Sequence, residues 1–181
     1  MSGRWCKIPN AVGAIDGTSL QIYRPSVEPQ EQYYSGHRQH HAVHTQVVVD
    51  NEGIIRFVQS GFLGHMNDAQ QFAMMQRIGT DLVFPHDCFL LGDKIYPNRY
   101  PIITPFSAGQ VARRHGRDRR RCVKFNRYVS SCRIIVEHSI GELKTYRAVS
   151  TIWRHPRYLL PSVVVICAGL VCRRKELNLI M

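Results

Sequence analysis

Cys88-Phe89-Leu90-Leu91-Gly92-Asp93 is an apolar run that ends in an acid, and Tyr96-Pro97 stops the segment. A short run of this kind, bounded by turn formers, reads as a fully buried strand. Packing gives such a strand no reason to finish in a carboxylate, because desolvating an unpaired charge costs several kcal/mol or more. The open end of a buried strand is, however, where sheet proteins place ligand-binding groups. Asp93 therefore reads either as a turn cap or as a metal-site acid.

Working outward, a second acid interrupts an apolar stretch. Ala11-Val12-Gly13-Ala14-Ile15 runs into Asp16-Gly17-Thr18, and Leu20, Ile22 and Tyr23 resume the pattern, as a strand or a hairpin. Residues 31–41 read as a loop. Residues 42–50, with Val47-Val48-Val49, are strand-like, Asn51-Glu52-Gly53 is a hairpin turn, and 54–62 form the return strand. Gly64 closes that strand, and Asn67 or Asp68 can cap a helix containing Phe72, Met75 and Ile78 that Gly79 ends. Beyond the 88–92 strand comes a short apolar Ile102-Ile103, then a basic loop or helix over 113–124. From Phe125 onward Val129, Cys132, Val136, Ile140 and Leu143 recur at helical spacing, which predicts a long amphipathic helix. Residues 158–172 read as a buried helix, interrupted by Pro161 and Ser162 and too short for a membrane span. The layout is α/β, one mixed sheet flanked by helices, and its order suits an RNase H-like fold.

The 181 residues suit one domain with a real core, and 44% hydrophobic content is ordinary for a folded protein. A net charge of +11 and a pI near 9.8 point to a polyanionic partner, most often nucleic acid. The six cysteines show no zinc-ligand spacing and no signal peptide opens the chain, so reduced thiols in cytosol or nucleus are expected.

Three acids sit where solubility does not need them: Asp16 within a strand, Asp93 ending one, and Glu137 beside the apolar stripe of the long helix. In an RNase H-like layout the first and fourth strands are neighbours and a late helix crosses their ends, which gathers the three. Carboxylates placed together repel unless cations occupy the site, and oxygen ligands suit Mg²⁺ or Mn²⁺. Two such ions roughly 4 Å apart can activate water and stabilise the leaving oxygen of a phosphodiester. Three unrelated acids remain the alternative. Glu142 rivals Glu137, but about 140° of helix rotation separates them, and Gly141 leaves room on the Glu137 face.

Arg113, Arg114, Arg117, Arg119, Arg120, Arg121 and Lys124 set seven cations against Asp118 alone, six of the eleven net positive charges. Such a run reads as a solvated face or as a DNA-backbone contact, and arginine's fork favours phosphate. His37, His40, His41 and His44 form a cluster that no Cys or acid at ligand spacing completes. A structural or phosphate-contacting role is therefore expected over zinc. Trp5 and Trp153 read as packing aromatics.

Taken in order, four motifs carry a resemblance. They are Gly13-Ala14-Ile15-Asp16-Gly17-Thr18, the turn at 64–68, Leu91-Gly92-Asp93 with Tyr96-Pro97, and Val136-Glu137 with Gly141, Leu143 and Lys144. Over roughly residues 10 to 175 the chain resembles the DDE nuclease domain of PIF/Harbinger transposases and Harbinger-derived nucleases. It departs from them at Lys94-Ile95, where a small residue and Gly are usual, and at Asn67-Asp68, where His-Asp is usual.

The resemblance implies an RNase H-like catalytic core with Asp16, Asp93 and Glu137 as metal ligands for Mg²⁺ or Mn²⁺. Asp68 is left as a helix cap or a secondary site residue. It implies a lead-in segment over 1–10, the nuclease domain over 11–175 and a tail over 176–181. It also implies a metal-dependent DNA endonuclease, with strand transfer in a full transposase, placed in the nucleus with cytoplasm also open. Only fifteen residues precede Asp16, so a fragment, a short isoform, or reliance on a Myb/SANT-like DNA-binding partner is expected. A catalytically silent DNA- or protein-binding scaffold is the competing class, and an RNase H-type ribonuclease a third. No membrane association is expected.

Overall fold

The structure is a computed structural model, and it describes residues 3–27, 29–75 and 87–177. A 3₁₀ turn, Gly3–Lys7, precedes strand β1, Ala11–Gln21. A four-residue helix α1 (Gln30–Tyr33) and a two-residue strand β2 (Tyr34–Ser35) stand where the composition predicts a loop. Strands β3 (His40–Asp50) and β4 (Ile55–Leu63) form the expected hairpin, with Gly53 at φ +80° in its turn. Helix α2 is Asp68–Met74, and the expected Ile78 and Gly79 at its end lie outside the described residues. Then come β5 (Phe89–Leu91), β6 (Ile102–Ile103), α3 (Ala108–Ala112), α4 (Gly116–Leu143), α5 (Arg147–Ser150) and α6 (Leu160–Glu176).

Asp16 does not break β1. The strand continues through it because β3 pairs antiparallel with it from Gly13↔Asp50 to Gln21↔Ala42. β4 pairs antiparallel on the other side of β3, while β5 lies parallel to β1 and β6 parallel to β5. The resulting order β4-β3-β1-β5-β6, with the antiparallel unit first and the parallel strand beside β1, is α/β with a mixed sheet flanked by helices, consistent with an RNase H-like fold.

Alternation along the strands feeds two cores. Ala14, Leu20, Val47, Val49 and Leu91 pack under α4 and α6, while Ile15, Val48, Leu90 and Ile102 pack with Phe72 of α2 on the other face. Trp5 and Trp153 are both buried in the first of these cores. The basic run is no loop: apart from its first three residues it forms the opening turns of α4, so one helix of 28 residues carries both the arginines and Glu137. The C-terminal half of α4 is tied to the sheet by Lys175, whose Nζ donates to Gly53 O (2.6 Å) and Ser139 Oγ (3.1 Å) and pairs with Glu142 (2.8 Å). Helix α6 is half-buried rather than buried: Leu160, Val164, Cys167, Ala168 and Val171 face the core, whereas Val165, Ile166 and Leu170 are exposed.

Candidate functional site

Ala14 of β1 lies opposite Leu91 of β5, so Asp16 and Asp93 each stand two residues past the last paired position of adjacent parallel strands. Strands so paired run about 5 Å apart, and equal offsets keep both acids on the α4 face of the sheet. Asp93 also accepts the Ile95 N–H in the tight turn after β5, so it is both a turn acid and a neighbour of Asp16. Asp16 accepts the Gly17 N–H (2.9 Å) and faces the Arg133 guanidinium of α4, Nη2 to Oδ2 at 3.3 Å. Burial is the largest influence on its carboxyl and pushes it up to about 6. Arg133 and the Gly17 amide pull against that, and Asp68 and Asp93 add to it.

Asp68 reaches the site from the opposite face. The N-cap of α2 is Asn67, which accepts the Gln70 N–H and completes a capping box, so Asp68 is released from the capping role. Its Oδ1 accepts from Gln46 Nε2 (2.9 Å), which also donates to Gln71 Oε1 (2.8 Å), and Tyr96 OH donates to Gln46 Oε1. Gln46 and Gln71 are fully buried, so every link matters, because an orphaned buried amide costs roughly 1–3 kcal/mol. Burial also drives the Tyr96 hydroxyl far up, which keeps it a donor.

Gly17 makes this approach possible: a Cβ there would lie 2.1 Å from Asp68 Oδ1 and 2.9 Å from Gln46 Nε2. Gly17→Ala is expected to displace the Asp68 carboxylate and cost about 1–2 kcal/mol in urea unfolding. In an Asp68→Ala background the same change should cost much less. Equal costs in the two backgrounds would place the strain elsewhere.

Glu137 is exposed on α4, one turn beyond Arg133 on the flank that also carries Asn126 and Ser130. The charges bearing on Asp16 are Arg133, Asp68 and Asp93. Among the described residues no three His, Cys, Asp or Glu side chains are gathered as a ready metal-binding group. Glu142, the rival acid, is committed to Lys175. The acids that act on Asp16 are Asp68 and Asp93, and Asp16 is desolvated beyond what Arg133 offsets. That environment fits a hard divalent cation held by oxygen.

Two clefts flank the Arg133–Asp16 pair. One is bounded by Asp93, Lys94, Phe106, Arg119, Asn126 and Arg133, with Phe106 held to α4 by two hydrogen bonds to Asn126 (both 2.9 Å). Arg119 also borders a neighbouring surface with Arg120, Lys124 and Arg127, so the basic turns of α4 lead directly to the acids. Arg114 departs from the expected outward run: it lies over the Phe106 ring at 4.4 Å and donates to Cys122 Sγ. The second cleft runs from Asp16 and Asp68 past Ser19 to His37, Arg38 and His65. Of the histidine cluster, His37 and His44 border this cleft; His44 bonds Gly64 O (2.9 Å), and burial holds its ring below the usual imidazole range.

Sequence reasoning passed over Arg133, Gln46 and Gln71. Arg133 was detectable as a cation beside the apolar stripe, between Cys132 and Val136 and one turn before Glu137. Gln46 was detectable as an amide next to three valines in a strand, a polar group that burial obliges to find partners.

The family sequence model described as DDE superfamily endonuclease matches residues 15–171, a span that takes in Asp16, Asp68, Asp93, Arg133 and Glu137. No curated protein and no solved structure matches the chain.

Proposed function

The chain belongs to the DDE superfamily endonuclease family, and from that premise we propose that it is a Harbinger-type, metal-dependent nuclease that hydrolyses DNA phosphodiesters. The observation that carries the proposal is the placement of Asp16 and Asp93 side by side on parallel strands, with Asp16 desolvated and raised to about 6. DDE endonucleases typically use divalent metals. Here Asp16, Asp93 and Glu137 would hold Mg²⁺ or Mn²⁺, with Asp68 close enough to bear on Asp16. Such ions, two in this family, would supply an activated water and stabilise the leaving oxygen. Arg133 holds the Asp16 carboxylate in place from α4, and the arginines of the same helix grip the DNA backbone. A Myb/SANT-like DNA-binding partner, residence in the nucleus and a nuclease unit over 11–175 belong to this reading.

The pairing of Arg133 with Asp16 favours a second reading, in which a cation built into the chain occupies the acid site and the protein is a silent DNA-binding scaffold.

Nicking of supercoiled plasmid by the full chain with Mg²⁺ or Mn²⁺, against an EDTA control, separates the two. Metal-dependent nicking supports the nuclease. Inertness with both metals, even with a DNA-binding partner supplied, leaves the scaffold. Neutralising Arg119, Arg120 and Arg121 together should weaken DNA binding and lower the salt slope by about one unit for each phosphate that the helix no longer holds. An unchanged affinity at low salt would make these arginines a solvated face only.

A further inference from the structure

We propose that Gln46 and Tyr96 are positioning residues for Asp68, and that Asp68 joins Asp16 in holding the divalent cation. The buried pair keeps the Asp68 carboxylate an ionised acceptor in the cleft that it shares with Asp16. The proposal deepens the nuclease reading, on which it rests for the cation, and it assigns a role to polar groups that a core would otherwise exclude.

The polarity of the relay is fixed from its far end. Gln71 Nε2 donates to the Met66 carbonyl (2.9 Å), which can only accept, so Gln71 Oε1 faces Gln46. Gln46 therefore turns its amide nitrogen toward Gln71 (2.8 Å) and Asp68 Oδ1 (2.9 Å), and its oxygen toward the Tyr96 hydroxyl, which donates. An N–H aimed at Asp68 Oδ1 leaves no place there for an acid proton, so the relay favours the ionised carboxylate. Gln46, Gln71 and Tyr96 are all buried, and none of these groups can turn to bulk water instead.

Helix capping does not explain a carboxylate at this place. Asn67 already caps α2. Among the described residues Asp68 is in no ion pair and its Oδ2 accepts no hydrogen bond, although the chain carries 24 lysines and arginines. Gln46 of β3 lies opposite Gly17 of β1, and the missing side chain at Gly17 lets Asp68 reach Gln46. Gly17 alone stands between the two carboxylates: its N–H is held by Asp16 Oδ1 (2.9 Å), and the space of its absent Cβ is taken by Asp68 Oδ1. Both acids border one cleft. A carboxylate with one oxygen held by a buried donor, and the other left over, is how metal-ligating acids are oriented by the residues behind them. Like charges set this close repel until a cation enters, which supports the same assignment.

The test is Mn²⁺ binding by the DNA-free chain at neutral pH, read as free Mn²⁺ by electron paramagnetic resonance. Asp68→Asn should lower the affinity at least about tenfold, and Gln46→Met, which keeps the length of the side chain but has no donor, about tenfold. In the Asp68→Asn background Gln46→Met should add nothing, because Gln46 acts through that carboxylate. Gln71→Met breaks the same buried network on the side away from Asp68. It should lower the melting temperature and leave Mn²⁺ affinity within about twofold of wild type. Should Gln46→Met fail to fold, Tyr96→Phe, which loses one hydroxyl, should lower the affinity about threefold. Wild-type affinity in Asp68→Asn, equal losses in Gln46→Met and Gln71→Met, or a wild type that binds no Mn²⁺ would overturn the proposal. Nicking judges the nuclease reading separately. If the protein binds Mn²⁺ in the expected pattern and cuts no DNA, the relay stands and the nuclease reading falls. If it cuts DNA with metal while Asp68→Asn binds Mn²⁺ as wild type does, the relay falls and the nuclease stands.

Discussion

Asp16→Asn and Asp93→Asn are each expected to lower metal-dependent nicking at least about 10³-fold, roughly 4 kcal/mol of transition-state stabilisation, while DNA affinity stays level or rises. Asparagine keeps the shape and one acceptor but removes the charge that a divalent ion needs, and it removes one charge that repels the DNA backbone. The third ligand is decided by the same assay. Glu137→Gln should match the two aspartate variants if one turn of α4 brings it to the metal. Asp68→Asn should match them if the carboxylate that already bears on Asp16 takes that place. Glu142→Gln should change nicking little, because that side chain is bound to Lys175, away from the acids. Nicking that survives in Asp16→Asn or Asp93→Asn would remove the reaction from this site altogether.

A second large effect is expected in stability. The Asp16 carboxyl is raised from 3.8 to about 6 in the folded chain. Between those two values the folded protein holds a proton that the unfolded chain has released. Stability from this group is therefore present at low pH and is lost as pH rises through 6, a swing of roughly 2–3 kcal/mol. This is the reverse of the usual salt-bridged aspartate. Urea unfolding in EDTA at pH 4 and pH 7 should show the wild type losing that amount relative to Asp16→Asn. At pH 7, Mg²⁺ or Mn²⁺ should raise stability in the wild type and not in the Asp16→Asn, Asp93→Asn double variant, because only a folded acid pair binds the ion. Parallel pH profiles for wild type and Asp16→Asn would mean that burial at Asp16 carries no net cost.

The sheet was legible because its strands are written in β-branched and apolar runs, and the placement of Asp93 followed from where such a run stops. β1 was ambiguous for a physical reason. A charge and a glycine in mid-strand weaken the local signal, and only the nine paired positions with β3 make the segment one strand. Residues 116–124 stood between loop and helix because their like charges repel, which the helix accepts because residues further along it are anchored at Val129, Cys132 and Val136. For α6, an almost wholly apolar segment implied burial on all sides, but sequence alone cannot say how many neighbours the fold supplies. In the site, the two strand acids were readable from pattern. The roles of Asp68 and Arg133 depend on contacts between elements distant in sequence, one across Gly17 and the other across the α4 face.

The continuity of α4 has a metric consequence. Arg119 and Arg133 are fourteen residues apart on one unbroken helix, so their backbones are separated by about 21 Å along its axis. At about 3.4 Å per nucleotide step this is the length of roughly six base pairs. On the nuclease reading, a rigid rod of fixed length between the arginine end and the acid end would work as a ruler. A footprint of the bound protein would then extend about half a helical turn of DNA to one side of the cut, by a distance that loop movements elsewhere in the protein would leave unaltered.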